Sequence, residues 1–131
     1  MGASLTTQLA NAGAIVTLAL GLLGLFLPGK AAQLVSITPV GRMGVAEIRA
    51  TYGGLFTMLA AVVLIAQERA LFAMVGTAWA GAAAGRLYSI WRDGSREPKN
   101  LVGFAFELSL GYLLLAPVFA LWWREVMRSL A

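Results

Sequence analysis

The sequence predicts an all-α protein: a four-helix transmembrane bundle with a short interfacial segment between helices 1 and 2. Three observations carry this. Of the 131 residues, 60% are hydrophobic and only 12% charged, against roughly 45–50% apolar and about 25% charged in ordinary soluble domains. The apolar residues fall into four blocks, each close to the roughly 20 residues that cross a bilayer as a helix. Most charges stand between or at the edges of those blocks. Backbone amides in lipid need internal partners, so the blocks are expected to be helical.

Taken in order, the first block, 9–27, reads LANAGAIVTLALGLLGLFL and carries no charge. Its leader, MGASLTTQ, has no Lys or Arg, and its apolar region exceeds the roughly 7–15 residues of a secretory signal. A retained helix is therefore expected. Gln8 and Asn11 open it as hydrogen-bonding groups, and Gly21 and Gly24 give it a weak small-residue face. Pro28-Gly29 stops it, and KAAQLVSI then reads as a short interfacial helix. The second helix, 48–67, joins the third, 70–91, almost directly at Glu68-Arg69. RDGSREPKN forms a polar turn before the fourth helix, 101–123. Pro117 is expected to bend that helix near Leu113. Trp122-Trp123 and Tyr88/Trp91 fall near helix ends as interfacial belts. The whole chain, 1–131, reads as a single membrane domain without an internal repeat.

Four crossings put both termini on one face. The opposite face, with the two longer loops, holds Lys30, Arg42, Arg49, Arg86, Arg92, Arg96 and Lys99, against Arg69, Arg124 and Arg128. The excess of Lys and Arg places those loops in the cytoplasm of a bacterial inner membrane and both termini in the periplasm.

The stretch VGRMGVAEIRATYGG, 40–54, brings Arg42, Glu47 and Arg49 to the threshold of the second helix. Deeper charges follow: Arg86 near the end of the third helix and Glu107 inside the fourth. Both lie roughly 8–9 Å inside the same end of two antiparallel neighbours, so they are predicted to pair. An ionised side chain near mid-helix costs about 2.5–3.5 kcal/mol on insertion scales. Arg can snorkel toward the interface, but the shorter Glu does so poorly. Gly103, Glu107 and Gly111 recur every four residues, which points Glu107 at a closely approaching neighbour. A polar intramembrane cluster of Glu47, Arg49, Tyr52, Arg86, Ser89 and Glu107 is expected. It reads either as a lock on helix register or as a ligand, ion or proton site. Gly81 and Gly85 form a small-xxx-small pair on the third helix, suited to packing within the bundle or against another subunit.

The motifs EIRATYGG, 47–54, and GRLYSIWRDG, 85–94, followed by Glu107, resemble a bacterial family of short four-helix integral membrane proteins known as a domain of unknown function. Residues 22–28 are similar as well. One departure is that Ser95-Arg96-Glu97 intervene between Asp93-Gly94 and Pro98. The resemblance implies a four-helix membrane fold and no particular activity.

With no Cys and no His, disulfides, thiolate metal sites, imidazole ligation and the commonest general base are excluded. No nucleophile stands beside a base, and no phosphate loop or metal-ligand spacing occurs. The chain is therefore expected to be non-catalytic, with no cofactor and no metal. The net charge of +4 is dispersed, so nucleic acid is not an expected partner. Expected partners are membrane lipid and either other membrane protein subunits or a second copy. The leading expectation is an accessory or assembly subunit of a larger inner-membrane complex. The alternative is a lipid or small-molecule binder or transporter using the buried Glu/Arg/Tyr cluster.

Overall fold

The computed structural model describes residues 4–130, and among them helix is the only regular structure. We label the helices α1 (Leu5–Phe26), α2 (Pro28–Leu34), α3 (Gly41–Ala66), α4 (Arg69–Arg92) and α5 (Pro98–Ser129). All but α2 are long and apolar enough to cross a membrane. In the most apolar window of each, only 22–33% of the residues are buried. That much exposed apolar surface suits lipid, not water.

The helices run longer than the apolar blocks, for local reasons. Helix α1 starts at Leu5 because the Ser4 hydroxyl accepts a hydrogen bond from the Thr7 amide at 3.3 Å, as an N-cap does. Pro28-Gly29 does end α1, yet Pro28 also begins α2, where its missing N–H costs nothing. Helix α3 begins at Gly41, seven residues before the expected start at 48. Its segment Ile48–Leu55 is wound as a π-helix, with i→i+5 bonds that are rare and mostly confined to single turns. Helix α5 has 32 residues, about 48 Å at 1.5 Å per residue. It exceeds a hydrocarbon core of about 30 Å, and its last turns carry Arg124, Glu125 and Arg128. The helix continues through Pro117 without interruption.

The chain divides into two compact units, Met1–Gly13 with Gln67–Ala131, and Ala14–Ala66. In the first, α4 and α5 form an antiparallel hairpin. Helix α4 turns Phe72, Val75, Gly76, Trp79 and Ala83 inward, a stripe at helical spacing. Helix α5 answers with Glu107, Leu110, Gly111 and Leu114. The backbones approach closely at Gly76 and Gly111. A Cβ on Gly76 would lie 2.9 Å from Leu115 Cγ, and one on Gly111 would lie 3.2 Å from the Ala80 amide. The Trp79 ring meets Phe106 edge-on at 6.2 Å. The start of α1 packs here too, with Gly13 against Leu114. Asn11 and Gln67 exchange two amide hydrogen bonds of 3.1 and 2.8 Å. They hold Gln67 at a φ of 55°, a left-handed conformation unfavourable to a side chain.

In the second unit, the rest of α1 lies against α3 with no room for a side chain. A Cβ on Gly24 would come within 2.5 Å of the Tyr52 carbonyl, and one on Gly21 within 2.5 Å of the Thr57 amide. A Cβ on Gly53 would meet Leu25 N at 2.7 Å. Ala31 and Ala32 of α2 pack on Ile48 of α3, with Leu23 and Tyr52 around them. The short helix is thereby fastened to the unit by its small face.

Candidate functional site

Arg86 and Glu107 are brought together. Arg86 Nε donates to Glu107 Oε1 at 2.7 Å. Arg86 Nη1 donates to Asn100 Oδ1 at 2.8 Å. Asn100 in turn donates to the Ser95 carbonyl at 2.9 Å and to its hydroxyl at 3.1 Å. The guanidinium lies over Gly103, where a Cβ would come within 2.9 Å of Arg86 Cζ. Gly103 is thus the floor on which the planar head rests. Glu107 is 8% exposed, and its second oxygen, Oε2, is buried with no hydrogen-bond partner among the described residues. Arg86 Nη2 likewise makes no bond there. The site is a charge-neutral pair with one spare acceptor and one spare donor edge.

Asn100 escaped the sequence reading. It stands seven residues before Glu107, two helical turns along the same face, and that spacing was the available signal. Ser89, placed in the cluster from sequence, serves the turn instead. Its hydroxyl donates to Asp93 Oδ2 at 2.8 Å, and its carbonyl accepts from the Asp93 amide at 2.9 Å. Gly94 closes the turn at a φ of 69°, a conformation that glycine adopts without strain. Ser95 donates to Glu97 Oε2 at 2.8 Å. A backbone hydrogen bond at Glu97, and then this hydroxyl, hold its carboxyl below the usual carboxylate range.

The three cluster residues of the other unit behave differently. Glu47 is exposed and makes no ion pair or hydrogen bond among the described residues. It sits near the start of a helix that begins at Gly41. Arg49 is exposed, and its Nε donates to the Leu25 carbonyl at 3.3 Å. That carbonyl is one of the last of α1, where unpaired carbonyls and the helix dipole favour a cation. Tyr52 works through its ring, packed on the Ala31/Ala32/Ile48 cluster and edge-on to Phe56 at 6.0 Å.

The glycines singled out from sequence also separate. Gly103 and Gly111 face α4, as described. Gly81 and Gly85 do not pack inside the hairpin: both are exposed, and a Cβ on either would meet nothing within 4 Å. The helix buries its other face, through Gly76, Trp79 and Ala83.

A family model matches residues 7–118 of this chain. The chain belongs to the family described as Domain of unknown function (DUF4345). This agrees with the family resemblance drawn from the sequence. The matched span of DUF4345 takes in α1 from Thr7, then α2 to α4, and α5 as far as Val118, including the Arg86–Glu107–Asn100 group. No curated protein and no solved structure matches the chain.

Proposed function

We propose that this chain is a small non-catalytic integral membrane protein that packs against other membrane helices, as an accessory or assembly subunit of a larger inner-membrane complex. The observation that carries this reading is the outer face of α4. Ala78, Gly81, Ala82 and Gly85 are exposed there, and neither glycine is used inside the chain. Glycine in a helix costs about 1 kcal/mol relative to alanine. In lipid, small residues return that cost when a second helix closes on them. The Arg86–Glu107–Asn100 group acts as the internal lock that holds α4 and α5 in register behind that face.

The chain has no cysteine, so single-cysteine variants report contacts cleanly. Cysteine at Ala78 or Gly81, labelled with a photoreactive maleimide and irradiated in native membranes, is expected to give a defined cross-linked adduct. Cysteine at Ile15, an exposed position on α1, is expected to give none. Equal adducts from both positions, or none from either, would count against the reading. On the basic loops we place both termini in the periplasm. Alkaline phosphatase fused at the C-terminus should then be active and a fluorescent protein dark, and the reverse pattern would invert the topology.

A second reading is favoured by one observation, the partnerless Glu107 Oε2 beside the spare Arg86 edge. Such a pair can hold a small ligand with both a donor and an acceptor, as a binder or transporter would. A co-purifying small molecule that Glu107→Gln releases would favour it over the first reading.

A further inference from the structure

The unit Ala14–Ala66 carries three cations, Lys30, Arg42 and Arg49, and one carboxylate, Glu47. All four are exposed. The cations lie at one end of the unit. Gly24 of α1 packs on Tyr52 and Gly53 of α3, so the C-terminus of α1 and the first half of α3 share that end. Lys30 follows on α2, and Arg42 opens α3. Arg49 donates from Nε to the Leu25 carbonyl at 3.3 Å, which turns its terminal nitrogens away from the end of α1. Its two terminal nitrogens make no bond among the described residues. A guanidinium bonded through Nε with both terminal nitrogens free can grip a phosphate at two points.

The surroundings say which phosphate. Phe26, Leu27, Val40 and Met43 are exposed at the same end, Val40 at 83% and Met43 at 71%. Bare cations among large exposed apolar groups suit neither water nor hydrocarbon alone. They suit the boundary where lipid phosphates meet acyl chains. We propose that this end of the unit is a seat for an anionic phospholipid headgroup. The free edge of Arg49 grips the phosphate, Lys30 and Arg42 supply the positive potential, and the exposed apolar side chains lie along the acyl boundary. The seat is independent of the docking face on α4. The turn between α4 and α5 is a poorer candidate, because Asp93 and Glu97 stand among Arg92, Arg96 and Lys99.

The test uses the full chain in nanodiscs of equal phosphatidylglycerol and phosphatidylcholine, with retained lipid identified by native mass spectrometry. Wild type should retain phosphatidylglycerol preferentially. K30Q/R42Q/R49Q should lose the preference, at about fivefold per cation removed. K30Q/R42Q leaves the Arg49 bond to Leu25 intact and should show a partial loss even if the triple variant fails to fold. R92Q/R96Q/K99Q should stay near wild type. Inorganic phosphate at about tenfold excess over lipid should not displace the lipid, which separates a headgroup seat from a free-phosphate site. Equal retention of the two lipids by wild type would overturn the proposal. So would a preference that K30Q/R42Q leaves untouched, or one that the turn variant alone abolishes.

Discussion

At the scale of single residues, the decisive group is the buried Glu107. Its pairing with Arg86 was legible because opposite charges at matching depth on two antiparallel helices have few alternatives in lipid. Asn100 was not legible, because a neutral amide beside an apolar block carries no comparable penalty to draw attention. Glu47, at the threshold of the second apolar block, is exposed and has no side-chain partner among the described residues. Glu107→Gln and Arg86→Gln should each destabilise the folded chain in mild detergent by about 1–2 kcal/mol, the upper range for interhelical polar contacts in membranes. The double variant should lose less than the two effects added together, since each single change strands the other partner. Additive losses in thermal unfolding would mean the two side chains act separately.

Glu97 gives the turn a pH dependence of definite sign. Its carboxyl is held below the ordinary value by a backbone hydrogen bond and by Ser95. A depressed carboxyl stabilises the folded turn above its ordinary pKa, and that contribution fades as pH falls through the depressed value. Hydrogen-exchange protection of the Asn100 and Leu101 amides, which bond the Glu97 carbonyl at 2.9 and 3.2 Å, should therefore drop at acid pH. In Glu97→Gln the acid-dependent component should vanish, whereas a drop of the same size would place the titrating group elsewhere.

At the scale of helices, glycines that look alike in sequence do different work. Gly24 and Gly53 let two backbones touch, and Gly76 and Gly111 do the same within the hairpin. Gly81 and Gly85 face outward. Gly24→Ala would force a Cβ onto backbone atoms 2.5 Å away, which cannot yield as a side chain would. It should cost about 1–3 kcal/mol or more, as overpacking does. Gly81→Ala meets open space and should stabilise the isolated chain by up to about 1 kcal/mol. Detergent melts of the two variants moving in the same direction would contradict this division. The GxxxG-like spacing was visible in the sequence, but which face it served was not, because α4 carries small residues all round. The π-winding of Ile48–Leu55 was equally hidden. A π-turn offsets the i+3 and i+4 neighbours that an α-helix would set on one face, so which residues flank Arg49 and Tyr52 could not be taken from α-helical spacing.

For the whole molecule, composition and block length were enough to read an all-helical membrane protein, since almost nothing but helices and closed barrels satisfies a backbone in lipid. Helix ends were read short because residues 6–8, the region 41–47 and the charged end of α5 are polar or glycine-rich and yet helical. On the proposed function, the outer face of α4 joins this chain to another membrane helix. Native mass spectrometry of the protein extracted from its own membrane tests it most directly, with wild type and Gly81→Leu/Gly85→Leu compared at native expression. Wild type should emerge bound to a second polypeptide, and the variant as a lone chain that melts no lower than the isolated 13.8 kDa wild-type chain. A wild type found only as that lone chain, or a variant that keeps the same companion, would contradict the account.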